Sequence, residues 1–146
     1  MRSTKNGFTR KKALTIVFLV AAVLIAAILL RGCKDTEDVS TRDGRIRFLA
    51  QFGWEVDPET EDVRSVQLPE TLEGTLAQYN EMQRRQGYDL SLHLGEQCQQ
   101  VSYLLTNYPD GSQTVLVTMY IQGSRVIAAD IHSTSLNGFM HGLRMD

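Results

Sequence analysis

Cysteine is scarce in this sequence, which has only Cys33 and Cys98 among its 146 residues. Small secreted domains that depend on disulfides carry several cysteines, so a disulfide framework is excluded and the fold must rest on a hydrophobic core. A single bridge between the two cysteines stays open as an alternative, although it would tie the domain down against the membrane segment described below. We expect Cys98 to be a buried or half-buried free thiol.

Motifs for metal binding and nucleophilic catalysis are also missing. The three histidines do not form the helical pair of a zinc protease, and no C-x-x-C pair occurs. No nucleophile elbow surrounds a serine, and no glycine-rich phosphate loop follows a strand. The sequence therefore predicts no cofactor, no bound metal and no catalytic residue of a recognised class.

Acidic residues are absent from residues 1–34, which carry seven basic side chains. Residues 35–146 carry the other eight basic residues and all seventeen acidic ones, a formal charge of −9. Phosphate contacts need clusters of basic side chains, so nucleic-acid binding by this acidic part is disfavoured. The basic beginning of the chain instead suggests a contact with a membrane surface.

A long apolar run follows the basic residues. Residues 13–30 contain eighteen residues, of which Thr15 is the only polar one. As a helix this run would span roughly 27 Å, close to the thickness of the hydrocarbon core of a bilayer. A core helix of a small domain would show a polar stripe, and this run has none. The sequence thus predicts one transmembrane helix over 13–30 that contacts the lipid bilayer.

The flanking charges set the expected orientation. Five basic residues precede the run, and acidic residues soon follow it, so the positive-inside rule places residues 1–12 in the cytoplasm as a basic tail. Residues 31–42 are polar and predict a juxtamembrane linker, and residues 43–146 form the extracytoplasmic domain. We expect a single-pass protein of the cell membrane. Cleaved secretion and lipoprotein processing at Cys33 remain alternatives, although Arg31 does not suit a lipoprotein box.

Two helices are predicted in the outer domain. The first begins near Ser40, whose spacing to Asp43 fits a capping box, and ends at Gly53. Pro69 suits the first turn of the second helix, which Gly87 would end. The apolar residues of the second helix recur at spacings of four, three and three and predict a buried stripe formed by Leu72, Leu76, Tyr79 and Met82.

From Gln97 onward the apolar period changes to two, which indicates strands. A turn at Tyr108–Gly111 and a tight reversal at Gly123–Ser124 separate three of them. Since short links require antiparallel pairing, the sequence predicts an α+β domain with a small antiparallel sheet packed by helices on one face.

Several separated motifs in this domain resemble one known family. They are Gly53-Trp54-Glu55-Val56, Tyr79-Asn80, Gln86-Gly87-Tyr88-Asp89-Leu90, Asn107-Tyr108-Pro109, Val126-Ile127 with Asp130, and Met140-His141-Gly142. Over roughly residues 43–143 the sequence resembles the bacterial domain-of-unknown-function family 4830. The resemblance implies a small extracytoplasmic domain, typical of clostridial-type Gram-positive bacteria, and it brings no activity and no catalytic residues.

The most specific candidates for a metal or acid–base site are Asp130, His132 and His141. Asp130 and His132 lie two apart on a predicted strand, so their side chains share one face, and His141 would return to that face from the C-terminal loop. Such a trio would suit a metal or acid–base chemistry. The alternative is that Asp130 accepts hydrogen bonds from the following loop and that the histidines are solvated.

Aromatic side chains offer a second kind of site. Tyr and Trp combine apolar contact with a polar tip, which suits grooves that bind carbohydrate or peptide. Core packing explains Trp54, Tyr79 and Tyr103 equally well. Speculative ligand-binding residues are therefore Tyr88, Tyr108, Tyr120, Asp130, His132 and His141.

The sequence favours a non-enzymatic binding or interaction module of the cell envelope, whose partner would be a protein, a peptide or a wall component. One alternative is a metal-dependent enzyme that uses Asp130, His132 and His141. Another is a structural or regulatory spacer without a ligand.

Overall fold

The computed structural model describes residues 37–109, 111 and 114–145. The predicted cytoplasmic tail, the predicted transmembrane helix and the first half of the predicted linker lie outside these residues. No helix within the described ranges is long and apolar enough to cross a membrane.

Helix α1 spans Arg42–Ala50, and its cap lies one residue later than predicted. Its N-cap is Thr41, whose hydroxyl oxygen accepts a hydrogen bond from the amide of Gly44 at 3.1 Å, so Ser40 is not the cap. A Cβ at position 44 would lie 1.8 Å from the carbonyl oxygen of Asp38, which is why glycine is required there. The helix ends in a turn that reaches Gly53, whose φ of 86° suits glycine.

The strands form an antiparallel sheet, as predicted. In the described part of the chain they are β1 (Val56–Gln67), β2 (Gln97–Leu105), β3 (Val115–Gln122), β4 (Arg125–Ser133) and the short β5 (Met140–His141). Their order in the sheet is the order in the sequence. Gly123, with a φ of 60°, makes the tight reversal between β3 and β4. The α+β prediction is confirmed.

One face of the sheet, which we call the first face, carries the main core. Alternate residues of β2 and β3 point into it, and Leu49 of α1 covers them with no exposed surface. Trp54 packs there as well and donates from Nε1 to the carbonyl oxygen of Leu143 at 2.6 Å. Val39, placed in the linker by the sequence, is 1% exposed in this core, so the domain begins before residue 43.

A buried charge cluster joins α1 to the first face. The Arg45 guanidinium lies 2.6 Å from Oε1 of Glu61, and its Nε donates to the hydroxyl of Tyr103 at 3.1 Å. Tyr103 and Arg42 also donate to Glu61. Burial opposes ionisation of Glu61, yet these hydrogen bonds outweigh it and lower its pKa to about 2.

Helix α2 (Thr75–Arg85) lies on the opposite side, which we call the second face. Tyr79 of α2 packs edge-on against Tyr120 of β3, with ring centroids 6.3 Å apart. The prediction that the helices share one face is therefore wrong. Pro69 also precedes the helix rather than starting it, because α2 begins only after Gly74, whose φ is 56°.

The contact between α2 and β4 is polar. Gln83 is fully buried; its Nε2 donates to the carbonyl oxygen of Ala129 at 3.0 Å and its Oε1 accepts from the Ala129 amide at 2.9 Å. Nε2 of Gln86 donates to the same carbonyl at 2.9 Å, and its Oε1 accepts from the Leu143 amide at 2.6 Å. β5 pairs with β4 only at Ile131 and His132. The glutamines thus satisfy the backbone of an edge strand beyond the reach of β5.

Candidate functional site

A cavity of about 610 Å³ separates α2 from the second face. The predicted stripe lines this cavity. Leu72, which precedes α2, and Tyr79 also pack against the smaller hydrophobic cluster around Leu68 and Leu90, whereas Leu76 is 44% exposed. The prediction of a buried stripe therefore holds only in part, and the residues that α2 buries fully are Asn80 and Gln83. Other apolar residues that line the cavity are Val66, Leu68, Pro69, Leu72, Met82, Leu90, Leu94 and Met140.

The floor of the cavity is polar because the second face carries polar side chains on three neighbouring strands. Gln100, Thr118, Asp130 and His132 line it. The hydroxyl oxygen of Thr118 lies 2.8 Å from the hydroxyl oxygen of Ser102 in β2. Apolar walls over a few fixed polar groups are the usual arrangement of a small-molecule site.

Asp130 organises the deepest part of the floor. Its side chain is 4% exposed; one carboxylate oxygen lies 2.8 Å from Nδ1 of His132, and the other accepts from the Tyr79 hydroxyl at 2.7 Å. The hydrogen bond that His132 donates to Asp130 raises the pKa of His132 above its usual value, although burial opposes this. Burial, followed by the nearby Asp130 charge, raises the pKa of Tyr79 so that it stays a neutral donor.

His141 does not join Asp130 and His132. It pairs with Ile131 in the sheet, and its ring stacks near Trp54, Tyr108 and Phe139 on the first face. Nδ1 of His141 lies 2.6 Å from the carbonyl oxygen of Gly142, and Nε2 lies 3.1 Å from the Tyr108 hydroxyl. The predicted convergence is wrong because the β5 register puts His141 on the other face and Met140 into the cavity.

The predicted aromatic residues are divided in the same way. Tyr120 lines the cavity, whereas Tyr88 and Tyr108 pack against the core of the first face. Tyr79, which the sequence assigned to the core, also lines the cavity. Thr118 lines it as well, and the period of two along the strands could have placed Thr118 beside Asp130. No group of three or more metal-ligating side chains occurs within the described ranges.

Cys98 packs in the smaller hydrophobic cluster with Leu68 and Leu90, 5% exposed. Burial raises the pKa of its thiol, so it stays protonated and unreactive near neutral pH. The described structure thus has Cys98 as a free thiol, as predicted.

Comparison with known proteins agrees with the motifs. A family model described as a domain of unknown function, DUF4830, matches residues 48–131, more than half of the chain. The matched stretch runs from the second half of α1 into β4 and includes α2 and most of the cavity. No curated protein and no solved structure matches the chain. The chain belongs to the DUF4830 family.

Proposed function

We propose that the domain is a non-enzymatic binding module that holds an uncharged, amphipathic small molecule in the cavity between α2 and the second face. The observation that carries the proposal is the apolar wall of the cavity, in which Leu76 of α2 is 44% exposed. Exposed apolar side chains that line a concave surface are costly unless something covers them. Here they face a polar floor, so the molecule that covers them would have both an apolar and a polar part.

The charges around the cavity favour an uncharged occupant. Among the described residues, no lysine or arginine lines it, and the one carboxylate that does, Asp130, is already hydrogen-bonded by His132 and Tyr79. The excess of acid in residues 35–146 repels anions further. A phosphate or carboxylate ligand would thus lose its hydration without gaining a cation.

The volume supports a small molecule over a folded partner. Pockets of roughly 300–1,000 Å³ enclose ligands of drug size. The sequence adds the setting: the apolar run at 13–30 and its basic flank support a single-pass membrane protein whose binding domain lies outside the membrane. We therefore propose a small envelope or wall component as the occupant.

The methionines provide a direct test. Met82 and Met140 line the cavity, whereas Met119 is fully buried on the first face. The full chain in lipid nanodiscs, with isotope-labelled methionine methyl groups, would be titrated with naphthylmethanol by NMR. Ring currents of a naphthalene in the cavity should shift the Met82 and Met140 signals saturably and leave Met119 unchanged. Signals are assigned by single Met→Leu substitutions.

Naphthoate is the matched anionic probe, and we expect it to bind at least about tenfold more weakly. If neither cavity methionine shifts saturably with naphthylmethanol, the cavity is not a binding site and the spacer alternative is favoured. Equal binding of naphthoate would refute the preference for uncharged molecules. A shift of Met119 of similar size would show that the probe enters the core rather than the cavity.

The alternative of a metal-dependent enzyme loses support from the geometry, because His141 lies on the first face, away from Asp130 and His132. Metal content of the purified chain, with thermal stability measured with and without chelator, tests it separately. Bound metal and a stability that falls with chelator would favour the enzyme.

A further inference from the structure

His132 holds an unusual position on the floor of the cavity. Its Nδ1 is engaged by Asp130, a nearly buried carboxylate, and this fixes the ring. Within the described part of the chain, Nε2 has no hydrogen-bond partner. The other floor groups have partners of their own: Asp130 accepts from Tyr79, Thr118 bonds Ser102, and Nε2 of Gln100 donates to the Tyr120 hydroxyl at 3.5 Å.

The carboxylate of Asp130 also determines which nitrogen of the neutral His132 ring carries the hydrogen. Since an ionised carboxylate only accepts, Nδ1 carries the hydrogen and Nε2 presents a lone pair. When the ring is protonated, Nε2 becomes a donor instead. A hydroxyl group can bond either form, because it both donates and accepts, whereas an ether oxygen can bond only the protonated form.

We propose that Nε2 of His132 is the recognition atom of the cavity and that it selects molecules bearing a hydroxyl group next to an apolar body. This inference rests on the proposed function, since it names the chemistry of the same occupant. The apolar body contacts Leu72 and Leu76, and the hydroxyl reaches the floor. No lysine or arginine of the described part of the chain lines the cavity, so none there competes for the hydroxyl.

Several titratable or charged groups surround His132. Asp130 lies on its own strand, Tyr120 and Tyr79 face it from β3 and α2, and Asp62 and Arg64 of β1 line an adjoining depression that His132 shares. Asp62 and Arg64 form an exposed ion pair at 2.6 Å, so their charges largely cancel. Asp130 is therefore the dominant partner of the ring.

The test compares naphthylmethanol with its methyl ether, in which a methyl group replaces the hydroxyl hydrogen and removes the donor. Affinities are taken from the Met82 and Met140 shifts of the full chain in nanodiscs, at about pH 8.5 and about pH 5.5, on either side of the usual histidine range. At the higher pH we expect the alcohol to bind about three- to tenfold more tightly than the ether, the effect of one hydrogen bond. At the lower pH the ratio should approach one, because His132 then donates to both.

His132→Leu should remove the preference at about pH 8.5, so that the ratio is about one at both pH values. His93→Leu is the matched control: Nδ1 of His93 also lies 2.9 Å from a carboxylate, that of Glu96, but His93 does not line the cavity. It should keep the preference. An unchanged Met119 signal in each variant verifies that the core is intact.

The two proposals fail differently. Saturable binding of both probes with equal affinity, or a preference that survives His132→Leu, would overturn the role of His132 and leave the cavity as a binding site. Absence of saturable binding by either probe would overturn both.

Discussion

The hydrogen bonds from Gln83 to the edge of β4 give a quantitative prediction about stability. Gln83→Met keeps the length of the side chain but removes both hydrogen bonds to the backbone of Ala129, a fully buried residue. The carbonyl of Ala129 keeps its bond from Gln86, whereas the amide loses its partner. An unpaired buried amide costs about 1–3 kcal/mol and the other lost bond about 1 kcal/mol. We therefore expect Gln83→Met to lower the free energy of unfolding by about 3 kcal/mol.

Such a loss is large for a domain of this size, because total stabilities are about 5–15 kcal/mol. Urea unfolding of the full chain in nanodiscs would measure it, with the fluorescence of Trp54, the single tryptophan, reporting on the core. Gln78→Met is the matched control, an exposed glutamine on the same helix. It should change the free energy of unfolding by no more than about 0.5 kcal/mol.

Amide hydrogen exchange gives a second readout at the same position. The Ala129 amide should exchange faster in Gln83→Met than in the unmodified chain, since it loses its acceptor. A free energy of unfolding that matches the Gln78→Met control would refute the argument that glutamines replace a strand at this edge. Unchanged exchange at Ala129 would refute it as well.

Three further predictions follow from other parts of the chain. The pKa of Glu61 is about 2 in the folded domain and about 4.3 in the unfolded chain, so ionised Glu61 stabilises the fold fully above the unfolded value and progressively less as the pH falls towards 2. Measurement of the free energy of unfolding against pH should show this contribution as about 3 kcal/mol, and Glu61→Gln should remove it. Because Leu76 is exposed, Leu76→Ser should lower the free energy of unfolding by less than about 1 kcal/mol yet weaken naphthylmethanol binding several-fold. Because Leu49 is fully buried, Leu49→Ala should lower the free energy of unfolding by about 2–5 kcal/mol. A reporter fused after Asp146 should be active only when exported; activity in the cytosol would contradict the predicted orientation.

The three strands β2, β3 and β4 were predictable because their period is local. Val101 and Tyr103 alternate with polar residues, and the turn at Gly123 needs only its own conformation, so the antiparallel sheet followed from short stretches of sequence. The cap of α1 was wrong by one residue because Ser40 and Thr41 are both good caps, and only the position of the Gly44 amide selects Thr41.

The candidate site was only partly predictable, because periodicity identifies a face and not what the face contacts. The stripe that includes Leu76 has the spacing of a core helix, yet the buried contact of α2 is made by Gln83, a residue that pattern reading assigns to solvent. Asp130 and His132 were paired correctly from their spacing of two. His141 was misplaced because its face depends on the register of β5, which nothing local specifies.

Helix α2 is held to the sheet by amide side chains and by Tyr79, while Leu76 remains largely uncovered. A molecule in the cavity would supply the missing apolar contact and act as a removable piece of the core. Occupancy would then slow local opening of α2 more than that of α1, which already packs on Trp54 and its neighbours. Through this linkage, the rigidity of a single helix would report whether the site is filled.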